Sequence, residues 1–385
     1  MKNWEKKKLG DVCTLINRGV SPKYLEKGGL LVLNQKCIRD HCINIEPARY
    51  HDSKLKPVSS ERLIQIGDVV VNSTGTGTLG RVAQVKKLIQ ATVDSHVTIV
   101  RPIKDLFFSE FFGYAMINIE EEITEGGEGC GGQTELSRNK LKENYYISFP
   151  KSISEQQRIV SILDEAFTAI ATAKANVEQN LKNARELFES YLQGVFENKG
   201  EGWDDKTLNE ISEKLDSKRI PITKNVRKEG SIPYYGASGI VDYVADYLFD
   251  EDLLCVSEDG ANLLARTYPI AFSISGKTWV NNHAHILRFN NIVSQKFVEL
   301  YLNSIKLDDF VSGMAQPKLN QTMLNKIPIP FPKSLMEQES IVLKLEALST
   351  ETKKLESNFQ QKIEDLEELK KSVLQKAFNG ELKTK

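Results

Sequence analysis

The sequence lacks long apolar runs: no stretch of about 18 apolar residues occurs, so a membrane-spanning helix is not expected. The first twenty residues also lack the apolar core of a signal peptide, and we expect a cytoplasmic protein. A net charge of −1 argues against a protein that coats nucleic acid without regard to sequence. Any contact with nucleic acid must therefore use local basic surfaces.

Cysteine is scarce and catalytic motifs are missing. The five cysteines are odd in number and scattered, which argues against a disulfide framework. Cys37 with His41 and Cys42 has no second ligand pair at zinc-finger spacing, so no metal site is predicted. The chain shows no Asn-Pro-Pro-Tyr methyltransferase motif, no Walker A lysine loop and no nucleophile elbow. Nothing in the sequence therefore predicts an enzyme.

What the chain does contain is a repeat. The segment 149–156 (FPKSISEQ) returns 182 positions later as 331–338 (FPKSLMEQ), and the similarity continues without a gap to 190–196 and 372–378. Two copies of one unit predict an internal pseudo-dimer. Such an arrangement suits a target that also has two parts, and duplex DNA is the commonest of these.

Two segments of mixed composition precede the repeated ones. Residues 1–150 and 200–332 both predict many short strands, with Trp4 answered by Trp203, residues 68–73 by 252–257 and residues 96–101 by 283–288. Their charges differ, at +3 for 21 basic and 18 acidic residues in the first and −3 for 14 and 17 in the second. One scaffold with divergent loops indicates two modules that recognise different things.

The repeated segments predict long helices, about 153–197 and 335–379. Each opens with a capping box, Ser152 with Glu155 and Ser334 with Glu337. Apolar residues recur every seven positions, which favours a coiled coil over two independent amphipathic helices. The first predicted seam comprises Leu163, Ile170, Val177, Ala184 and Tyr191 with Leu345, Thr352, Phe359, Leu366 and Val373; the second comprises Leu348, Leu355 and Leu369 opposite Ala166, Ala173 and Leu187.

The helices are expected to run antiparallel. A helix of about 45 residues spans roughly 67 Å. The 133-residue segment between them would form a domain only roughly 35–40 Å across. It cannot bridge the helix length, so the end of the first helix and the start of the second must be neighbours.

Together these elements resemble the specificity subunit of a Type I restriction–modification system, over the whole chain. The resemblance rests on Pro150 with Glu155-Gln156 and Ile159-Val160, their copy at Pro332, Glu337-Gln338 and Ile341-Val342, the tail 377–382 (AFNGEL), and segments 232–239 and 316–320. It implies an α+β fold in which two tandem α/β target-recognition domains, 1–150 and 200–332, are separated by two long antiparallel coiled-coil helices, 151–199 and 333–385, with pseudo-twofold symmetry.

The resemblance also implies a division of labour. Each recognition domain would read half of a bipartite double-stranded DNA site, while the coiled coil would set the spacer and dock two methyltransferase subunits. The resemblance implies either that restriction and translocase subunits join through these, or that the system methylates without them. The chain itself would be non-catalytic and without cofactor, because S-adenosylmethionine, ATP and Mg would belong to the partner subunits.

Residues 75–80 (GTGTLG) match the dinucleotide-binding pattern G-x-G-x-x-G. The following residues 81–85 alternate like a strand and open no helix, so we favour a structural turn or a turn whose glycines let the backbone approach DNA phosphate. His96, His283 and His285 hold equivalent strand positions. Structural hydrogen bonds are their expected role, and base contact is the alternative.

Polar and basic residues on predicted loops are the candidates for DNA contact, since such side chains bind phosphates and base edges. They are Asn34, Gln35, Lys36, Arg39, Thr74, Thr76, Arg81, Gln133 and Arg138 in the first module, and Tyr234, Tyr235, Ser238, Lys277, Asn281, Asn282, Gln316 and Lys318 in the second. The candidates for partner binding are Glu155, Gln156, Glu337 and Gln338, for which completing the helix starts is the alternative role. Two other hypotheses stay open at this point, a nucleotide-binding enzyme and a scaffold that never touches DNA.

Overall fold

The computed structural model of the chain describes residues 4–129, 134–313 and 316–382. The chain divides into two compact units, Met1–Asn176 with Lys362–Lys385, and Val177–Gln361. Each unit contains one module of short strands and part of both long helices, so the predicted α+β class is confirmed.

The first module consists of short strands and three short helices. Its strands are β1 (Trp4–Lys8), β2 (Cys13–Arg18), β3 (Tyr24–Leu25), β4 (Leu30–Leu33), β5 (Ile38–Arg39), β6 (Cys42–Ile43), β7 (Arg49–His51), β8 (Val69–Asn72), β9 (Val82–Gln84), β10 (Ala91–Val93), β11 (Val97–Pro102) and β12 (Tyr146–Pro150). Its helices are α1 (Ser109–Asn118), α2 (Glu120–Glu125) and α3 (Arg138–Glu143).

The second module follows the long helix α4 (Ile153–Glu197) and precedes the long helix α9 (Leu335–Phe378). Its strands are β13 (Trp203–Lys206), β14 (Glu213–Lys214), β15 (Glu229–Gly236), β16 (Gly239–Val244), β17 (Phe249–Asp250), β18 (Leu253–Ser257), β19 (Ala271–Ile274), β20 (Lys277–Val280), β21 (Ala284–Arg288) and β22 (Ile329–Pro332). Its helices are α5 (Leu208–Ile211), α6 (Asn262–Ala265), α7 (Ile292–Ser304) and α8 (Gln321–Leu324).

The two modules share the strand order of one sheet and the central strand pairing of a second. An antiparallel sheet in the order β2-β11-β8-β9 corresponds to β14-β21-β18-β19. A second sheet pairs β4 with β10 in parallel, as β15 pairs with β20. Trp4 lies opposite Pro150 and Trp203 opposite Pro332, so the first and last strands of each module pair with each other in the same way. The central strands β8 and β18 are buried along their whole length, which explains their runs of valine, leucine and cysteine.

The long helices begin at the predicted serines. The hydroxyls of Ser152 and Ser334 accept from the backbone N–H of Glu155 and Glu337, each at 3.4 Å. The glutamates have other partners: Glu155 binds the guanidinium of Arg158, and Glu337 accepts from the indole N–H of Trp203 at 2.7 Å. The serine half of each predicted capping box is therefore present, while Glu155 pairs within its own helix and Glu337 joins its helix to Trp203.

Within each unit the two long helices run antiparallel, as predicted. In the first unit Lys174 pairs with Glu367 at 2.5 Å, and in the second Arg185 pairs with Glu356 at 2.8 Å. In the first unit the start of α4 and the end of α9 share one core, with Leu163 and Phe378, and in the second the end of α4 and the start of α9 share the other, with Phe196 and Leu345. Both units keep the same antiparallel register.

The first predicted seam is confirmed over most of its length, whereas the second is wrong at its leucines, although its members Ala166 and Ala173 are half-buried. Leu163 and Leu345 are buried, and the residues that continue their series are mostly half-buried, although Tyr191 is exposed. The predicted second-seam leucines at 187, 348, 355 and 369 are 40–73% exposed. The half-buried positions are instead Phe167, Lys174, Leu181 and Phe188 with Ser349, Glu356, Ile363 and Lys370. Long charged side chains cover this seam with their aliphatic stems, which hides it from an apolar pattern.

Each module's core is completed by the last turn of a long helix. Phe378 packs on Phe111 of α1 with ring centroids 5.2 Å apart. Its repeat equivalent, Phe196, packs on Phe297 and Tyr301 in the second unit. Among the described residues no helix has the length and apolar character needed to cross a membrane.

Candidate nucleic-acid interface

The glycine-rich segment 75–80 forms the turn of the β8–β9 hairpin. Gly75, Gly77 and Gly80 have φ of +104°, +73° and +89°, a region that residues with a Cβ rarely adopt. The Gly75 N–H donates to the Thr134 carbonyl at 3.1 Å, and strand β9 follows directly. The segment opens no helix, so the structural context of a dinucleotide site is missing.

The second module repeats this turn with a register that corrects the predicted alignment. Asn72 pairs with Val97 at the end of β8, and Ser257 pairs with Ala284 at the end of β18. Residues 68–73 therefore correspond to 253–258 and not to 252–257. Gly260 becomes the counterpart of Gly75: its φ is +107°, and its N–H donates to the Pro317 carbonyl. Asp259 then occupies the place of Thr74, and Glu258 that of Ser73.

In the first module three loops meet at Thr74. The side-chain amide of Gln35 donates to the Thr74 carbonyl and, at 2.6 Å, to its hydroxyl. The Thr74 hydroxyl also lies 2.8 Å from Nδ1 of His96, which is exposed. A backbone bridge joins Thr74 to Glu135 from the third loop. Gln35, Thr74 and His96 form a cluster that we call the first site.

The second module places Asp259 and His283 at the equivalent position. The Asp259 carboxylate lies 2.8 Å and 3.1 Å from Nδ1 of His283. The His283 side chain is 50% exposed, and a backbone bridge joins Asp259 to Lys318. Ala237 is the counterpart of Gln35, since each offers its carbonyl to the residue ending the central strand, Ser257 or Asn72. We call Asp259, His283 and their neighbours Glu258 and Lys318 the second site.

A charged network lies beneath the second site. Glu258 pairs with Arg219 at 2.7 Å and with Lys318 at 3.2 Å. The buried His285 lies between the Asp216 carboxylate at 2.6 Å and the Leu319 carbonyl at 2.8 Å, which confirms its predicted structural role. Burial acts to raise the pKa of Asp216, but contacts with His285, the Ile286 N–H and Arg219 hold it below its ordinary value.

The first module has different chemistry there. Thr98 occupies the place of His285 and shares a hydrogen bond with the Ser73 hydroxyl. Arg18 pairs with Glu135 at 2.6 Å, whereas the counterpart of Glu135 in the second module is Lys318. The two sites thus combine matched backbones with different charges.

The structure places the predicted DNA-contact residues in several environments. Lys36, Arg39, Thr76, Arg138, Ser238, Lys277, Asn282, Gln316 and Lys318 are exposed, and Asn34, Gln35, Thr74, Arg81 and Tyr235 are partly exposed. Gln133 lies outside the described residues. Residues around 34–36, 74–76 and 138 come together in the first module, as do those around 238, 281–282 and 316–318 in the second.

Some of these residues have structural roles. Tyr234 is 1% exposed, and its hydroxyl bonds with the backbone of Ile222. Asn281 is buried and holds the loop before β21 by accepting from the His283 N–H. Asn34 donates to the Pro47 carbonyl, and Arg81 to the Gly77 carbonyl. Lys277 lies at the far end of β20 from Asn281 and stacks on Tyr247.

The sequence prediction of contact residues did not include Glu258 and Asp259, or the arginines Arg18 and Arg219. His96 and His283 were expected to make structural hydrogen bonds at equivalent positions, with base contact as the alternative. The equivalent positions of His96 and His283 are the signal that the sequence offers for this site, because they mark one backbone position whose neighbouring residues differ between the modules.

In each Glu-Gln pair the glutamine is buried and holds the start of its long helix against its own module, and we call it a glutamine clamp. Gln156 is buried, accepts from the Phe108 N–H at 2.7 Å and donates to the Pro150 and Leu106 carbonyls. Gln338 is buried too, accepting from the Ser294 hydroxyl and donating to the Pro332 carbonyl, both at 2.7 Å. Each glutamine fastens the first turn of a long helix to its own module. No cluster of three or more His, Cys, Asp or Glu suited to a metal occurs in the described part of the chain.

Comparison with known proteins identifies the same duplication. The family model described as "Type I restriction modification DNA specificity domain" matches residues 1–183 and again 200–365. A Haemophilus influenzae protein described as a putative type I restriction enzyme specificity subunit is 34% identical over 172 residues, which is 45% of this chain. That match spans 42% of the relative's own length.

Two solved structures share the fold at low identity. A chain from a structural study of complex assembly and conformational transition of the type I R-M system has a TM-score of 0.80 and 17% identity, covering 99% of both chains. The HsdS subunit from Thermoanaerobacter tengcongensis has a TM-score of 0.61 and 18% identity, covering 99% of this chain and 98% of that one.

Proposed function

The chain belongs to the family of Type I restriction–modification DNA specificity domains, and from that premise we propose that it is the sequence-reading subunit of such a complex. Each module reads one half of a bipartite double-stranded site. The adenine methylation, and any cleavage, is carried out by partner subunits that bring S-adenosylmethionine, ATP and Mg.

One observation carries this proposal: the two modules keep one backbone and vary its exposed side chains. The turns at Gly75 and Gly260 have the same positive φ and the same hydrogen bond to the neighbouring loop. On that matched frame stand a hydroxyl and an amide in the first site, and two carboxylates and an exposed lysine in the second. A matched frame with different hydrogen-bonding groups is what two readers of different half-sites require.

Phosphate contacts would come from the exposed basic residues around the sites. Lys36 is exposed next to Gln35 of the first site, and Lys318 is an exposed member of the second site. Phosphate contacts position a protein on DNA, while base contacts provide sequence preference. The weak net charge of the chain fits a reader that gains further affinity from its partners.

We assign the docking of the methyltransferase subunits to the exposed leucines of the long helices. Gln156 and Gln338 are buried within their own modules. Leu348 and Leu355 are 40% and 45% exposed on α9, and Leu187 is 73% exposed on α4. Exposed apolar residues at seven-residue spacing give a helix a surface on which a partner can pack. The same paired helices would set the length of the unread spacer.

The decisive experiment is co-expression with the methyltransferase encoded beside this chain, in a host without adenine methylation, followed by mapping of methylated adenines. The expected result is a bipartite motif with a fixed gap. Exchanging residues 200–332 for the second module of another family member should change one half of the motif only. A single uninterrupted motif, or methylation without sequence preference, would contradict the proposal and favour a scaffold.

The docking surface is tested separately. Leu348→Asp with Leu355→Asp should abolish co-purification of the methyltransferase subunit, since two carboxylates would be buried without partners. Thr350→Asp, exposed on the same helix, is the matched control and should retain the partner. Undiminished co-purification of the double leucine variant would place docking elsewhere on the chain.

The spacer is tested by lengthening both helices together. A heptad inserted after Ala173 and another after Glu367 keeps Lys174 opposite Glu367 and preserves the seam. The methylated motif should keep both halves and gain a longer gap. An unchanged gap in a complex that still methylates would contradict a spacer role for the helices.

A further inference from the structure

The two exposed histidines occupy one structural position in the two modules. His96 directly precedes β11, and His283 directly precedes β21. The His96 N–H donates to the Asp94 carboxylate at 2.9 Å, and the His283 N–H donates to the Asn281 side-chain oxygen at 2.8 Å. Both rings therefore stand on the same kind of turn at the end of a central strand.

What differs is the group that meets Nδ1. In the second site this group is the Asp259 carboxylate, which accepts hydrogen bonds and has none to donate. Nδ1 of His283 must therefore carry the hydrogen. In the neutral ring the outer nitrogen, Nε2, is then bare and acts as an acceptor.

In the first site the hydrogen-bond chain runs in the opposite direction. The Thr74 carbonyl fixes the orientation of Gln35, because only the amide N–H of that side chain can donate to a carbonyl. The same amide donates to the Thr74 hydroxyl oxygen at 2.6 Å. Nδ1 of His96, at 2.8 Å, is the acceptor that the described residues offer to the hydroxyl hydrogen, and donation to it leaves the hydrogen of the neutral ring on Nε2. His96 consequently offers a donor.

We propose that His96 and His283 are matched base-reading residues with opposite hydrogen-bonding polarity, set by Thr74 with Gln35 in the first site and by Asp259 in the second. This inference rests on the proposed function of the two modules. Thr74, Gln35 and Asp259 are positioning residues that act through the imidazole rings.

The polarity of each ring selects a class of base edge. A donor at Nε2 of His96 matches the O6 and N7 acceptors of guanine, O4 of thymine or N7 of adenine in the major groove, and it does not match the amino group of cytosine. An acceptor at Nε2 of His283 matches the amino group of adenine or cytosine. Phosphate oxygens only accept, so the acceptor ring of His283 does not suit a phosphate, and the adjoining Asp259 carboxylate adds like charge.

Two measurements separate this inference from the proposed function. Nitrogen-15 NMR of the full chain labelled at histidine reports the tautomer of each ring without DNA. The expected assignment is Nε2–H for His96 and Nδ1–H for His283, with Thr74→Asp converting His96 to the Nδ1–H form. The same tautomer on both wild-type rings would overturn the inference, whatever the DNA results.

The second measurement maps methylated adenines with the intact complex. Asp259→Asn, whose amide can donate to Nδ1, should let guanine or thymine replace adenine or cytosine at one position of one half-motif, with methylation of such sites rising on the order of tenfold. Thr74→Asp should make the converse change in the other half-motif. The half-motif of the unmodified module is the internal control.

A double variant separates positioning from folding. In a His283→Ala background, Asp259→Asn should cause no further change of base preference, because its effect passes through the ring. A wild-type complex with a bipartite motif, whose base preferences stay unchanged in both Asp259→Asn and His283→Ala, would overturn the inference and leave the proposed function standing. A uniform loss of methylation without altered base preference would also overturn it, since that is the signature of a structural role.

Discussion

The two modules share a frame but differ in how they support it. The first holds its turn with neutral groups, since Gln35, Thr74 and Ser73 contribute an amide and hydroxyls. The second holds the same turn with charges, since Glu258 lies between Arg219 and Lys318. Backbone hydrogen bonds and positive-φ glycines are therefore enough to define the backbone of the turn, while the side chains at the site can be neutral in one module and charged in the other.

The comparison extends to the cores. Leu163 of α4 and Phe378 of α9 complete the core of the first module, and their repeat equivalents Leu345 and Phe196 complete that of the second. Each module therefore depends on the start of one long helix and the end of the other. A recognition surface can diverge freely as long as these apolar contacts are kept.

The largest expected effect comes from removing those aromatic residues one module at a time. Phe378→Ala should destabilise the first unit and Phe196→Ala the second, each by about 3–5 kcal/mol, because a buried ring is lost and a cavity remains. Hydrogen exchange measured by mass spectrometry should show lost protection in residues 4–129 for the first variant and in residues 200–313 for the second. Equal loss of protection in both modules from either variant would show that the units are not separately supported.

The next effect compares the buried glutamine clamps. Gln156→Ala and Gln338→Ala should each cost about 2–3 kcal/mol, because buried partners lose their hydrogen bonds. The cost should be greater for Gln156, since the Phe108 N–H cannot turn to another partner, whereas the Ser294 hydroxyl can. Chemical denaturation provides the measurement. Gln193→Ala is the control, because the Gln193 side chain is exposed and its hydrogen bond is to Glu197 on its own helix. A cost no greater than that of the control would mean that the clamps do not fasten the helices.

The repeat and the helix bounds could be predicted from the sequence. Helices expected at about 153–197 and 335–379 occur at Ile153–Glu197 and Leu335–Phe378, because cap residues and seven-residue spacing are local signals. The turn at residues 75–80 was also predictable, since glycine spacing reports positive φ directly.

The site could be predicted only in part. β8 and β18 are buried along their whole length and apolar up to their last residue, so their pattern does not fix a register, and the sequence alignment of the two strands is wrong by one residue. The burial of Gln156 depends on carbonyl and N–H groups of residues 106, 108 and 150, whose meeting is a property of the tertiary fold. The second helix seam contains Lys174 and Glu356, which an apolar pattern passes over.

A smaller effect sharpens the comparison of the turns. Gly75→Ala and Gly260→Ala both place a Cβ at strongly positive φ, which costs about 1–3 kcal/mol of stability. At Gly75 the new Cβ would also meet the Thr78 hydroxyl at 2.5 Å and the Gln35 amide at 2.9 Å, whereas at Gly260 nothing lies within 4 Å. Thermal unfolding should therefore show the greater loss for Gly75→Ala. Equal losses would indicate that Gln35 and Thr78 move aside freely, and that the first site is less firmly held than its hydrogen bonds imply.

The smallest expected effect is a difference in acid sensitivity. In the second module the pKa of Glu258 is lowered. Burial acts to raise this pKa, but the contacts with Arg219, His285 and Lys318 outweigh burial. The pKa of Asp216 is lowered against burial in the same way. A carboxyl whose folded pKa lies below its unfolded value stabilises the fold above the unfolded pKa, and this stabilisation is lost as the pH falls through the folded pKa. Burial raises the pKa of Asp94 in the first module and of Glu299 in the second, an effect of opposite sign that both modules share.

Lowering the pH from about 6 to about 3.5 should therefore weaken the second module more than the first, because the unfolded pKa of Asp and Glu is about 4. Hydrogen exchange at a series of pH values, corrected for the intrinsic exchange rate, provides the measurement for each module in one sample. Asp216→Asn should flatten the pH dependence of the second module, while Asp252→Asn, exposed and outside the network, should leave it steep. If both modules lost protection in parallel, the charged support beneath the second site would contribute no more to stability than the neutral support beneath the first.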